Sequence, residues 1–100
     1  MDPTIGRIVH YKLSSFDADE ILNTRGQGSR RVNGAPGGLK GNAVAPGDVY
    51  PAMTVRVGSE GSPTCQLQVF LDGNDTHWAT SRTQGDEEGQ WSWPVITRPA

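Results

Sequence analysis

The chain has 100 residues, a formal net charge of −2 and a hydrophobic content of 34%. Its 13 glycines and 7 prolines make up a fifth of the sequence, which argues against a helical bundle and favours short strands joined by many turns. The one cysteine, Cys65, excludes an intramolecular disulfide, and no apolar run approaches the ~20 residues of a membrane span. We therefore expect one domain, residues 1–100, in a reducing cytoplasm.

The first strand and the one helix are predicted near the N-terminus. Residues 5–13 alternate in polarity and indicate a strand. Ser14 is a candidate helix N-cap, and Asp17 three residues later forms a short variant of the capping box. Since Gly26 is a natural stop, we expect a helix over residues 15–25. Its predicted apolar stripe consists of Phe16, Ala18, Ile21 and Leu22.

A glycine-rich basic segment follows at residues 26–47, where the periodic pattern disappears. Residues 21–47 carry four basic side chains and no acid, so they have a charge of +4 and the rest of the chain has −6. A loop of this length is uncommon in a compact domain, and it is usually either functional or a mobile insertion.

Strand patterns become clear after this loop. Residues 50–57, 65–71, 76–82 and 90–93 predict four further strands. Pro51 indicates an edge strand or a bulge, and Cys65 alternates with apolar residues as a buried small side chain would. Met53, Val55 and Val57 are expected on one face. The fold predicted is mainly β (α+β): a small, strongly bent five-stranded sheet or partial barrel, with one short helix and one long loop.

The sequence lacks a pattern for catalysis or for metal binding. His10 and His77 have no partner at the spacing of a metal site, and no nucleophile motif is present. Gly26-Gln27-Gly28 begins like a dinucleotide-binding loop, but Arg31 occupies the last glycine position and a helix precedes it. We therefore expect a binding protein, with no cofactor and no metal, and not an enzyme.

Two features could serve binding. Glycines leave backbone N–H groups open to anions, and the arginines of residues 25–40 supply bidentate contacts to phosphate. Trp78, Trp91 and Trp93 crowd the C-terminal third, and alternation places Trp91 and Trp93 on one face of their strand. These tryptophans are either core or an oligomer interface, or one or two of them form a stacking wall for a nucleobase.

Three stretches of the sequence also resemble a family of small bacteriophage proteins. They are residues 6–11 (GRIVHY), residues 68–73 (QVFLDG) and residues 85–94 (GDEEGQWSWP). Family members run G-R-I-V-H-Y near the start and G-x-W-x-W-P near the end. With the segments around these motifs, the resemblance covers both ends and the central hairpin, about half of the chain, and leaves out the loop at 26–47. It implies a phage origin and the cytoplasm of an infected bacterium.

This origin and the lack of catalytic residues lead to the first hypothesis, which rests on analogy with phage proteins that sequester immune nucleotides. It is a homo-oligomer that sequesters a cyclic oligonucleotide or a cyclic ADP-ribose type signal without cleaving it. The candidate ligand contacts are Arg7, His10, Tyr11, Arg30, Arg31, Asn74, Trp78, Trp91 and Trp93.

The alternative is a structural or protein-interaction module, either a virion accessory protein or an inhibitor of a host protein, in which the tryptophans form a protein interface. Binding of single-stranded nucleic acid is a third possibility, which a sequence pI near 5.5 disfavours. No membrane partner is expected.

Overall fold

The computed structural model describes residues 2–28, 41–59 and 61–95. Its elements are β1 (Ile8–Lys12), α1 (Ser15–Gly28), β2 (Val49–Val57), β3 (Thr64–Phe70), β4 (Thr76–Thr83) and β5 (Trp91–Ser92). The strands form one sheet in the order β4-β3-β2-β1-β5, with every neighbouring pair antiparallel. The sheet curls into a half-barrel, and a parallel bridge from Gln84 to Trp91 brings the end of β4 beside β5. The predicted mainly β fold is confirmed.

The helix begins where its cap was predicted and ends three residues later than expected. The Asp17 N–H donates to Ser14 Oγ at 3.1 Å, and the Ser14 N–H donates back to the Asp17 carboxylate at 2.9 Å. This reciprocal pair is the capping box. Of the predicted loop at 26–47, residues 29–40 lie outside the described part of the chain.

The core lies between the inner face of the sheet and the helix. The strands contribute Val9, Tyr11, Ala52, Cys65, Leu67, Val69, Ala79 and Trp91, all of them buried. On the helix, Ala18 and Ile21 are buried, whereas Phe16 is 68% exposed and Leu22 is 49% exposed. The predicted apolar stripe was therefore half wrong, because polar Asp17 and Arg25 occupy the buried face that Phe16 and Leu22 were expected to share.

The strand β2 departs from two expectations. It lies in the middle of the sheet, so the edge position inferred from Pro51 was wrong for the strand as a whole. The β2–β3 pairing starts only at Ala52, and Pro51 pairs with His10 of β1 alone, which accommodates its missing N–H. A register shift between Thr54 and Arg56 then turns Val57 toward the core, away from the face that holds Met53.

A further register shift is a bulge in β4, and it redirects one side chain into the protein. The β3–β4 register shifts between Cys65 and Leu67, and Ser81 opposite this shift has a φ of 56°. A bulge of this kind adds one residue and reverses the alternation beyond it. Arg82, which would otherwise point outward, thereby turns toward the inside of the sheet.

Inside the sheet, Arg82 joins a buried polar cluster around Asp17. We call this the Asp17 cluster; it consists of Tyr11, Ser14, Asp17, His77 and Arg82. One carboxylate oxygen of Asp17 accepts from Tyr11 Oη at 2.5 Å and from the Ser14 N–H and Oγ at 2.9 Å each. The other oxygen faces His77 Nε2 at 2.9 Å and Arg82 Nη2 at 3.0 Å.

The Asp17 cluster keeps the carboxyl ionised. Burial alone would raise the pKa of Asp17, but hydrogen bonds from His77, Tyr11 and Ser14 outweigh it and hold the pKa well below its usual range. Burial and the Asp17 carboxylate raise the pKa of Tyr11, so its hydroxyl keeps its proton. Since an ionised carboxylate only accepts hydrogen bonds, the proton between Asp17 and His77 lies on Nε2 of the histidine.

We expect Asp17→Asn to lower the free energy of unfolding at pH 7 by about 3 kcal/mol, because it removes the charge that satisfies the partly buried Arg82 and four further donors. The pKa of Asp17 is lower in the folded than in the unfolded chain, so its contribution is present above about pH 4 and is lost as the pH falls below that value. The difference between variant and wild type should therefore shrink in acid, as measured by urea unfolding between pH 2 and 7.

Asp19→Asn is the matched control, since Asp19 is exposed on the same helix. It should change the stability by less than about 0.5 kcal/mol. Equal losses in the two variants, or a loss for Asp17→Asn that does not depend on pH, would contradict the assigned role.

Candidate functional site

Two of the predicted ligand contacts are inside the protein. Tyr11 and Trp91 are fully buried. The Tyr11 hydroxyl accepts from Arg82 Nε at 2.7 Å, and Trp91 Nε1 donates to the Pro63 carbonyl at 3.0 Å. Neither ring has a face open to a ligand, so the expectation that they stack on a nucleobase does not fit this structure.

Trp93 and Arg7 do meet. The Trp93 ring is partly buried and packs edge-on against Trp91, with ring centroids 5.3 Å apart. The Arg7 guanidinium carbon lies 4.9 Å from the Trp93 ring centroid, a cation–π distance. Trp93 Nε1 is buried and has no hydrogen-bond partner among the described residues. This is the one predicted aromatic–basic pair that the described part of the chain brings together.

The other predicted contacts are dispersed. His10 and Trp78 both lie on the outer face of the sheet, but β2 and β3 separate their strands, a distance of about 14 Å at normal strand spacing. Asn74 is exposed in the turn before β4, at the end of the sheet opposite to Arg7. Arg30 and Arg31 lie outside the described residues.

Arg25, which the sequence groups with the basic segment, is already engaged. Its Nε donates to Asp75 Oδ2 at 2.8 Å, and its Nη2 donates to Asp75 Oδ1 at 3.1 Å. Its Nη1 donates to the Asn42 carbonyl at 2.8 Å. Gly41 lies so close to this guanidinium that a Cβ there would come within 2.7 Å of Nη2. Arg25 therefore fastens the helix to the β3–β4 turn and is not a phosphate contact.

A cleft of about 220 Å³ lies beside β1 and β5. It is lined by His10, Lys12, Val49, Gly85, Asp86, Gln90 and Ser92. No aromatic ring of tryptophan or tyrosine lines it, and the Lys12 ammonium donates to the Asp86 carbonyl at 2.6 Å. Pockets for drug-sized ligands hold roughly 300–1,000 Å³, so this cleft is small for a nucleotide.

The outer face of the sheet is the most unusual surface of the described chain. The central strand β2 places Val49, Pro51, Met53 and Val55 outward, so its outer side is apolar over four successive outward positions. Its inner side carries Ala52, fully buried in the core. An apolar outer side of this length is typical of a strand that is covered on both faces, yet among the described residues only the inner face of β2 is covered.

Neighbouring strands extend this apolar surface. Ile8 pairs with Met53, Met53 with Gln68, and Gln68 with Trp78, which makes one row across four strands. Phe70 lies two residues beyond Gln68 on β3. Ile8 is 43% exposed, Phe70 is 40% exposed and Trp78 is 55% exposed. We call this surface the outer patch and define it by Ile8, Pro51, Met53, Phe70 and Trp78, with Gln68 at its centre.

Of the outer patch, the ligand contacts predicted from the sequence include only Trp78. The pattern that could have found the patch is residues 49–55 (VYPAMTV), which has hydrophobic side chains at both parities instead of an alternation. Alternation in residues 65–71 places Phe70 on the face opposite Leu67, but the pattern of a single strand does not show which residues of the neighbouring strands lie beside it.

Comparisons with protein-family models, curated proteins and solved structures found no match for this chain. The resemblance to a bacteriophage family therefore stays a prediction from the sequence motifs. Within residues 2–28, 41–59 and 61–95, no three His, Cys, Asp or Glu side chains are placed to hold a metal ion. No helix in these ranges is long and apolar enough to cross a membrane.

The buried Trp91 and the exposed Trp78 should contribute very differently to the free energy of unfolding. We expect Trp91→Ala to lower the free energy of unfolding by about 3–5 kcal/mol, because it leaves a large cavity beneath Trp93. Trp78→Ala should change it by less than about 0.5 kcal/mol, since the side chain is more than half exposed. Urea unfolding of both variants checks this, and a large loss for Trp78→Ala would contradict an outer patch that is free for binding.

Proposed function

We propose that this chain is a non-catalytic binding module that acts by protein–protein contact through the outer patch. The observation that carries the proposal is the outer side of the central strand β2, which is apolar at four successive outward positions and is left uncovered by the described residues. In the phage setting implied by the sequence resemblance, the module is a virion accessory protein or an inhibitor of a host protein.

The composition of the patch supports contact with a protein surface. Aromatic side chains and methionine are enriched in protein interfaces, and charged residues are depleted at their centres. Trp78, Phe70 and Met53 fit this description, and the row from Ile8 to Trp78 contains no charged side chain. The buried Asp17 cluster, by contrast, has its hydrogen bonds satisfied inside the protein and offers nothing to a partner.

Affinity capture from cells that express the chain tests the proposal. Tagged wild type and the variants Trp78→Glu and Phe16→Glu serve as baits, with an untagged copy of the chain expressed in the same cells. Phe16 is the matched control, because it is 68% exposed on the helix and lies off the sheet. We expect a bound protein, identified by mass spectrometry, on wild type and Phe16→Glu and its loss from Trp78→Glu.

Retention of the same proteins by all three baits would contradict a contact through the outer patch. Capture of no protein by the wild-type bait, the untagged copy included, would contradict the proposed function itself.

Nucleotide sequestration is the second candidate, and the contact between Arg7 and Trp93 favours it. A guanidinium beside an indole ring is an arrangement that binds a nucleobase or a phosphate without reading sequence. This form of the nucleotide hypothesis needs only Arg7 and Trp93 in one site, and the ligand lies at the end of the sheet where β1 begins. It does not require contacts to the same ligand from His10, Asn74, Trp78, Arg30 and Arg31. The homo-oligomer predicted with it would complete the site from a second chain.

We expect a sequestered nucleotide at about 100 times its dissociation constant to add about 2.7 kcal/mol of stability, a shift of several degrees in melting temperature. The measurement is thermal unfolding against cyclic dinucleotides, cyclic trinucleotides, cyclic ADP-ribose isomers, NAD and ATP. Arg7→Ala should abolish the shift, and Arg56→Ala, an exposed arginine on the outer face, should keep it. A flat response over the whole panel would remove this candidate.

A further inference from the structure

We propose that the protein covering the outer patch is a second copy of this chain, which packs face to face on it about a two-fold axis. The inference rests on the proposed function and names its partner. It also assigns the expected homo-oligomer to one surface, the outer face of β1 to β4, in place of Trp91 and Trp93 near the C-terminal end.

The charge pattern of the face suits contact with itself. A two-fold axis sets the same surface against its own copy, so any charge near the centre would meet a like charge. The row through Ile8, Met53, Gln68 and Trp78 is uncharged. The basic side chains of the outer face, Lys12 and Arg56, belong to its margins, and Lys12 is held by the Asp86 carbonyl at 2.6 Å.

The polar group at the centre is also able to pair with its own copy. Gln68 points outward on β3, and its amide has no hydrogen-bond partner within the described part of the chain. A glutamine amide carries both donors and an acceptor, so two symmetry-related glutamines satisfy each other across a two-fold axis. A lysine or a glutamate at the same place, with donors only or acceptors only, would not do so.

The size of the face sets the expected strength. At about 3.3 Å per residue, the 7 residues of β3 extend for about 23 Å, and four strands at about 4.8 Å spacing are about 19 Å wide. Their product is roughly 440 Å² of flat surface, whereas a standard stable interface covers about 800 Å² on each partner. We therefore expect a reversible dimer that forms in the micromolar range, and not an obligate one.

Sedimentation velocity of the purified chain from about 1 to 500 μM tests this inference. We expect the wild type and Phe16→Glu to shift from monomer to dimer over this range. Gln68→Glu and Gln68→Lys should each raise the dissociation constant at least about tenfold, because like charges then meet at the axis. An equimolar mixture of the two should associate again, since the opposite charges face each other.

Trp78→Glu is a second variant, for use if a Gln68 substitution disturbs β3, and it should also remain a monomer. A wild type that stays monomeric up to 500 μM would overturn the inference. So would a dimer that all outer-face variants leave unchanged, because its interface then lies elsewhere. Neither result touches the proposed function, which fails only if capture finds no partner that depends on Trp78.

Discussion

The carboxylate of Asp17 is the constraint on which the rest of this structure depends. It accepts hydrogen bonds from three separate stretches of chain: β1 through Tyr11, the start of the helix through Ser14, and β4 through His77 and Arg82. A fully buried carboxylate is stable only when such partners surround it. The helix is therefore fixed over the inner face of the sheet by a polar interaction, although its apolar face is limited to a few side chains.

The bulge in β4 follows from the same requirement. Without the extra residue, Arg82 would point to solvent. The Asp17 oxygen that faces both His77 and Arg82 would then lose its contact with the arginine. The left-handed backbone at Ser81, with a φ of 56°, is a local cost that a non-glycine residue bears for this change of direction. The helix, the Asp17 cluster and Trp91 then fill the inner face of the sheet, so the apolar side chains of the sheet that stay exposed lie on its outer face.

Much of the fold could be predicted from the sequence. The strand patterns of residues 65–71 and 76–82 and the capping box at Ser14 are local, and the structure confirms the elements that they predict within one or two residues of the expected bounds. The Asp17 cluster could not be predicted in this way, because it joins residues that lie 60 and 65 positions apart. The β4 bulge contains no glycine, so no sequence signal indicated it. The direction of the Arg82 side chain therefore could not be predicted either.

The candidate site was less predictable than the fold. Three tryptophans close together in the sequence have three different environments, since Trp91 is buried, Trp93 is partly buried and Trp78 lies on the outer face. Composition identifies the residue type, but which strand face is covered depends on where the helix packs. The hydrogen bonds of Asp17 fix the helix over the inner face. Because Asp17 is polar, a search for apolar periodicity does not detect its role.

The most direct test of the account is hydroxyl-radical footprinting of the outer face inside producing cells. Met53 and Trp78 have side chains that react readily with these radicals, and both lie in the outer patch. If a partner covers this face, their oxidation, relative to that of Phe16 on the helix, is lower in cells than in dilute purified protein. Equal relative oxidation in the two conditions would mean that the outer face stays open, and it would contradict the claim that this face is the functional surface.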